Sequence, residues 1–197
     1  KIKRFFDILF SIIALIILSP LFVLIFFLIK LLCGDPVIFK QKRPGLFGVP
    51  FTIYKYRTMK IQSLSNGLIL SDENRLTSFG KLLRKTSLDE LPEIYNILIG
   101  DMSFVGPRPL LMEYMKLYSP ENARRHNLKP GLTGWAQING RNKITWKKKF
   151  ELDVWYVENI SFNLDLLILI KTIFKVIKGS DINQKNMATV SKFNGKN

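Results

Sequence analysis

The stretch Ile8–Ile29, ILFSIIALIILSPLFVLIFFLI, carries no charge, and Ser11, Ser19 and Pro20 are its only residues that are not apolar. As one straight helix it would run about 33 Å, enough to cross the hydrocarbon core of a bilayer. The apolar run continues past Pro20 without a small-residue cleavage site, which argues against a secretory signal. Two details complicate a simple crossing. Ser19-Pro20 lies near the middle, where proline removes a helical hydrogen bond and bends the axis. Both flanks are also basic: Lys1, Lys3 and Arg4 precede the stretch, and Lys30, Lys40, Lys42 and Arg43 follow it. Positive flanks prefer the cytoplasmic side, and a single crossing would separate them. A helix that enters, breaks at Ser19-Pro20 and returns to the same face satisfies both, with the serine hydroxyl available to a backbone group freed at the break. On the residues alone, spanning and re-entrant anchors stay equally open. Either way the chain divides into a membrane unit at 1–33 and one domain at 34–197.

The remainder of the chain is long enough for one sizeable core. Lys and Arg number 30 against 15 Asp and Glu, a formal charge of +15, which points to an anionic partner such as a membrane surface, a phosphorylated substrate or nucleic acid. Coupled to so long an apolar stretch, this charge favours lipid and phosphate over DNA. Cys33 is the only cysteine and His126 the only histidine. An intrachain disulfide is therefore excluded, and a His/Cys zinc site or a Ser-His-Asp triad nearly so. Catalysis would rest on carboxylates, lysine and arginine.

Residues Val37–Phe39 and Phe51–Tyr56 read as short strands around a Pro/Gly-rich loop at 44–50. Lys55 and Arg57 fall on one face of the second strand if it extends that far. Ser78–Lys85 reads as helical. Another helix is expected from near Ser87 to Gly100, either with Ser87 as N-cap and Glu90 completing a capping box or, given Pro92 in the first turn, with the start slipped to Asp89 as cap. Gly106-Pro107-Arg108-Pro109 reads as a rigid loop, and another loop holds Lys129–Trp135 and ends at Asn139-Gly140-Arg141. Trp146, Phe150, Val154 and Val157 recur at helical spacing. In a last helix, Leu166, Ile170, Ile173 and Ile177 form one stripe and Lys171, Lys175 and Lys178 another. The apolar stripe suits either a core or a membrane interface, with core packing the commoner case. The polar tail after Gly179 reads as loosely held.

Asp89-Glu90 is the most suggestive pair for chemistry. Both carboxylates fall at a helix start, where they serve equally well as ordinary capping residues. Arg84, Asp101, Arg108 and the loop around it lie close in sequence. Phosphoryl transfer needs positive charge on phosphate oxygens and commonly Mg²⁺, which takes one or two carboxylates plus substrate phosphates. An aspartate can itself be the nucleophile.

The runs Ser87-Leu88-Asp89-Glu90-Leu91-Pro92 and Gly100–Pro109 resemble the signature of the monotopic phosphoglycosyl transferases, the bacterial sugar transferases. So do Arg43-Pro44-Gly45, Tyr54–Met59 and Lys129–Gln137. The resemblance covers essentially the whole chain. With the ending Lys192–Asn197, it is closest to the minimal, Campylobacter-type (PglC-like) members, although Leu46–Pro50 is shorter than the polar loop of those members. It implies a mostly helical α/β fold, with a re-entrant membrane helix broken at Ser19-Pro20 feeding a small cytoplasmic catalytic domain carrying interfacial amphipathic helices. It implies Asp89 as nucleophile, Glu90 as its partner, Mg²⁺ held by Asp89 and Glu90, and Arg108, Lys55 and Arg84 on substrate phosphates. The implied reaction is ping-pong. A sugar phosphate passes from a UDP-sugar, such as UDP-di-N-acetylbacillosamine or a similar N-acetylated donor, to Asp89 and then to undecaprenyl phosphate, with release of UMP. The partners would be these two substrates and membrane lipid, without nucleic acid, at the cytoplasmic face of a bacterial inner membrane. Two rival readings remain, an aspartyl-phosphate hydrolase and a basic membrane-anchored protein that binds anionic lipid or nucleic acid.

Overall fold

A computed structural model describes residues 2–60, 64–65, 68–69, 71–140, 143–178 and 192–195. Lys1, Arg141, the start of the tail at 179–191 and the final pair 196–197 lie outside the described residues, as does the side chain of Ile177.

The apolar N-terminus forms two helices, α1 (Ile2–Ile17) and α2 (Ser19–Leu32), bent by 63° at the break between them. Pro20 falls in the first turn of α2, where its missing N–H costs no helical bond. The Ser19 hydroxyl donates to the Ile16 carbonyl at 2.8 Å, taking up an acceptor near the break. Among the described residues no single helix is long and apolar enough to cross a membrane, whereas the bent pair meets that criterion together.

Both ends of the pair are tied to the same domain. Near the start of α1, the Arg4 guanidinium donates to the carbonyls of Ile97 at 2.5 Å and Leu98 at 2.7 Å, a cation on the negative end of another helix. Lys3 pairs with Asp165. Asp7 is buried and accepts from Ser103 Oγ and the Phe104 amide, each at 3.1 Å. At the far end of α2, Ile25, Ile29 and Cys33 pack with Val37, Tyr56 and Leu83 in one core cluster. Between these anchors the outward side chains of Phe5, Ile16, Ile17, Phe27 and Leu31 are exposed.

Strands β1 (Ile38–Pro44) and β2 (Pro50–Tyr56) form an antiparallel hairpin in register from Ile38↔Tyr56 to Pro44↔Pro50. The first strand runs well past Phe39, where the local pattern stopped it, because β2 offers a partner along its whole length. A small hairpin, β3 (Leu64–Ser65) and β4 (Leu68–Ile69), leads through α3 (Asp72–Arg75) to α4 (Ser78–Thr86). Thr77 caps α4 by accepting from the Gly80 amide at 2.9 Å.

The expected capping box at Ser87 does not form. Ser87 adopts a left-handed conformation (φ 58°) that closes α4, and its side chain caps nothing. A tight 3₁₀ turn, Leu88–Glu90, follows, and α5 (Glu93–Ile99) begins only after Pro92. Leu88 and Leu91 pack against the α2 core cluster, so tertiary packing outweighs the local capping signal.

After α5, strand β5 (Ser103–Val105) pairs in parallel with β6 (Gly131–Thr133). The second lies inside the segment expected to be irregular. Its formation needs glycine, since a Cβ on Gly131 would stand 2.1 Å from the Gly106 amide nitrogen. The short helices α6 (Pro120–Ala123) and α7 (Trp135–Ile138) flank β6 in sequence.

Helix α8 (Trp146–Glu158) buries Trp146, Phe150 and Val154, three of the four residues of its apolar stripe. Phe193, from the tail, is buried beside Trp146, Phe150, Tyr114 and Leu110, so this part of the tail is held rather than loose. Helix α9 (Phe162–Lys178) reverses the commoner expectation. Ile168 faces inward, while Leu166, Ile170 and Ile173 of the apolar stripe are exposed. That stripe does not enter the core.

Candidate active site

Five charged side chains converge from four elements. Lys55 projects from β2, Asp89 and Glu90 from the 3₁₀ turn, Glu93 from the first turn of α5, and Arg108 from the loop after β5. Lys55 Nζ lies 2.8 Å from Glu90 Oε1 and 2.8 Å from Glu93 Oε1. Arg108 reaches both oxygens of Glu90, through Nη2 to Oε1 and through Nη1 to Oε2 at 3.3 Å. Glu90 is thus held in a fork by arginine and braced by lysine, the geometry in which a buried carboxylate stays charged.

The electrostatics separate three neighbouring carboxyls. Burial works against the charge of Glu90, but Arg108 and Lys55 overcome it and hold Glu90 well below the usual range. Asp89 moves the other way, to about 6, because burial and the adjacent Glu90 outweigh the attraction of Lys55, Arg108 and Arg84. Among the described residues nothing donates a hydrogen bond to its carboxylate, which leaves its oxygens available to an incoming phosphorus. Glu93 is pushed to about 7 by burial, despite its contact with Lys55. Arg108 is raised chiefly by Glu90, while Glu90 and Glu93 raise Lys55 against its own burial. Two carboxyls poised near neutrality around a firmly ionised third are a common arrangement at reacting centres.

Arg84, on α4, donates to Thr58 Oγ1 at 3.0 Å and is among the cations that act on Asp89. Asp89, Glu90, Lys55, Arg108 and Arg84 are therefore brought together. Arg57 turns away and donates to the Pro36 carbonyl at 2.6 Å. Asp101 accepts from Asn96 at 3.3 Å in a structural link. His126 is buried and lowered to about 4 by burial and Arg125, outside this cluster.

Glu93 was missed because the expected helix start put only Asp89 and Glu90 in view. The three-residue spacing from Glu90 to Glu93 was the available signal.

Two cavities flank Arg108. One, of about 230 Å³, is lined by Glu90, Leu91, Phe104, Leu169, Ile173 and Val176 among others, and adjoins the exposed face of α9. The other, of about 300 Å³, is lined by Arg43, Tyr114, Trp146, Lys149 and Asp153 among others. Arg108 and Gln137 belong to both. Among the described residues no group of three or more His, Cys, Asp or Glu side chains could hold a metal ion by itself.

The profile of a family described as bacterial sugar transferase matches residues 1–179. An uncharacterized sugar transferase, EpsL of Bacillus subtilis, is 55% identical over 98% of this chain and 96% of its own length. The UDP-glucose:undecaprenyl-phosphate glucose-1-phosphate transferase of Klebsiella pneumoniae is 40% identical over 88% of this chain. The UDP-N-acetylgalactosamine-undecaprenyl-phosphate N-acetylgalactosaminephosphotransferase of Aeromonas hydrophila is 39% identical over 90% of it. The chain spans 39% and 44% of the length of these last two relatives.

Proposed function

The chain belongs to the bacterial sugar transferase family, and we propose on that footing that it moves a sugar 1-phosphate from a UDP-sugar to undecaprenyl phosphate, releasing UMP. The observation that carries this reading is the Asp89 carboxylate, free of protein hydrogen bonds among the described residues and set among the charges of Lys55, Arg84 and Arg108. With its proton lost near pH 6, Asp89 is ionised at neutral pH. An Asp89 oxygen attacks the sugar-linked phosphorus, the bond to the bridging oxygen breaks, and UMP leaves with the electron pair. A phosphate oxygen of the lipid then attacks the same phosphorus, forming the polyprenyl diphosphosugar and restoring the Asp89 carboxylate. Arg108 and Lys55 keep Glu90 charged beside it, and the arginines offset charge on the phosphate oxygens.

Asp89 and Glu90 suit Mg²⁺ of the kind that completes its shell from substrate phosphates. Among the described residues Asp89 has no competing donor, and Glu90 Oε2 has only the 3.3 Å contact to Arg108. Such an ion would neutralise charge on the departing phosphate. The donor reading is an N-acetylated UDP-sugar. The Aeromonas relative is named for such a sugar and the Klebsiella relative for glucose.

The anchor is read as re-entrant, with 34–197 as the catalytic domain on the cytoplasmic face. The 63° bend supports this, as does the docking of Arg4 and Cys33, at opposite ends of the pair, on one domain. A straight crossing would put those two ends on opposite sides of the bilayer. The exposed apolar stripe of α9 supports an interfacial depth, where a soluble donor and a lipid phosphate meet.

The deciding experiment measures UMP from a panel of UDP-sugars with Mg²⁺, with and without undecaprenyl phosphate, for the wild type and Asp89→Asn. About one UMP per enzyme without acceptor, turnover with it, and neither in Asp89→Asn are expected. Steady release without acceptor would identify a hydrolase instead.

A further inference from the structure

The 300 Å³ cavity beside Arg108 is lined by a nest of positive charge. Arg43, Arg108 and Lys149 all line it. Asp153 is the one carboxylate among its described lining residues, and it is already committed. Arg125 donates to it through Nη2 at 2.7 Å and Nε at 3.1 Å, with both side chains almost wholly buried. Two polar atoms here are buried without a hydrogen-bond partner, Arg43 Nε and Gln137 Oε1. The Lys149 ammonium sits over the Trp146 ring, 4.1 Å from its centroid, a contact that fixes it at the cavity wall.

The crowding has a visible cost. Burial and then the charge of Arg108 pull Arg43 down to about 10. Burial brings Lys149 down to about 8 against the attraction of Asp153, with Arg108 and then Arg125 adding to the fall. Desolvated cations facing one another gain most from an anion that supplies several acceptor oxygens.

We propose that this cavity seats the diphosphate of the nucleotide donor, with Lys149 and Arg43 as its binding residues. The inference rests on the transferase reading and extends it to residues outside the carboxylate cluster. Arg108, common to both cavities, then meets the phosphate next to the sugar, while Arg43 and Lys149 hold the nucleotide side. The lipid phosphate has a different approach. The 230 Å³ cavity is walled largely by apolar side chains, among them Leu91, Phe104, Leu169, Ile173 and Val176, and adjoins the exposed apolar face of α9, a lining that suits an isoprenoid chain. The two substrates then meet at Arg108, each from its own cavity.

The test is UDP binding to the full chain in detergent by titration calorimetry, beside steady-state turnover, for the wild type, Lys149→Ala, Lys149→Arg and Lys147→Ala. Lys147 is an exposed neighbour on the same helix, so its variant changes net charge equally without touching the cavity. Lys149→Ala is expected to weaken UDP binding about tenfold, Lys149→Arg to restore most of it, and Lys147→Ala to leave it within about twofold. The KM for undecaprenyl phosphate should stay at the wild-type value in all three. UDP binding by Lys149→Ala equal to that of Lys147→Ala overturns the assignment. So does a raised KM for the lipid with donor binding intact, which would give the cavity to the acceptor phosphate. If the wild type neither binds UDP nor releases UMP from any UDP-sugar, the transferase reading falls and takes this inference with it. Normal wild-type turnover with an indifferent Lys149 sinks the inference alone.

Discussion

Lys55 Nζ stands 2.8 Å from Glu90 Oε1, joining β2 to the turn that carries Asp89 across 35 positions of sequence. The same ammonium contacts Glu93, and Arg108 shares Glu90 with it, so two cations serve two carboxyls that are almost excluded from water.

Removing that cation leaves Glu90 with Arg108 alone and takes from Glu93 its salt bridge. Lys55→Met is expected to cost about 3–5 kcal/mol of stability at pH 8. The deficit should shrink at pH 5.5, where Glu93 takes up a proton. Chemical denaturation in detergent at the two pH values measures both. A variant as stable as the wild type at pH 8 would show that the bridge does not matter to the fold.

Glu93 offers a cleaner pH experiment. Its folded value of about 7 lies above the ordinary 4.5, so between those values the folded chain keeps a proton that the unfolded chain has lost. Stability from this group is therefore fully present below about 4.5 and is lost as pH rises through about 7. Glu93→Gln keeps the neutral shape at every pH. It should match the wild type near pH 5 and exceed it at pH 8 in thermal denaturation. A stability difference independent of pH would contradict the protonated state of Glu93.

Asp89 must be ionised to attack, and its value is about 6. Initial rates should therefore fall as pH drops below about 6, and this limb should persist in Glu93→Gln. A pH–rate profile from 5 to 8 reads it directly. Asp89→Asn should lose UMP release altogether while still sedimenting with membranes.

The bend at Leu18 depends on Pro20 and on the Ser19–Ile16 hydrogen bond. In a Cys33→Ala background with cysteine at position 2, the wild-type anchor should label only from the cytoplasmic side. Pro20→Ala restores a continuous helical ladder and should allow labelling from the outside. Outside labelling without that substitution would mean that the anchor spans.

Ile170 and Phe174 of α9 are exposed and lie outside both cavities. Ile170→Asp with Phe174→Asp should change stability by no more than about 0.5 kcal/mol each. The same pair should markedly reduce co-sedimentation with anionic vesicles. Unchanged sedimentation would remove α9 from the membrane interface.

Much of this protein was legible in the chain itself wherever the signal was local. The uncharged run at 8–29, its Ser19-Pro20 break and its basic flanks announce a bent apolar helix, because proline and charge act within a few residues of where they stand. The stripe Trp146, Phe150, Val154 announces the buried face of α8, because helical periodicity repeats along one element. Asp89, Glu90, Arg108, Lys55 and Arg84 were named from their motifs, and the fold gathers them. What the tertiary structure decided were matters of long-range contact. Ser87 turns left-handed instead of capping a helix because Leu88 and Leu91 are drawn into the core beneath α2. Strands β5 and β6 exist only as each other's partners, through a close backbone approach that glycine at 106 and 131 permits. The outward stripe of α9, the docking of Arg4 on α5, and the facing of Glu93 and Lys55 likewise depend on which surfaces meet. A side chain's neighbours across space set its burial and its charge, and those neighbours are fixed only when distant segments pack.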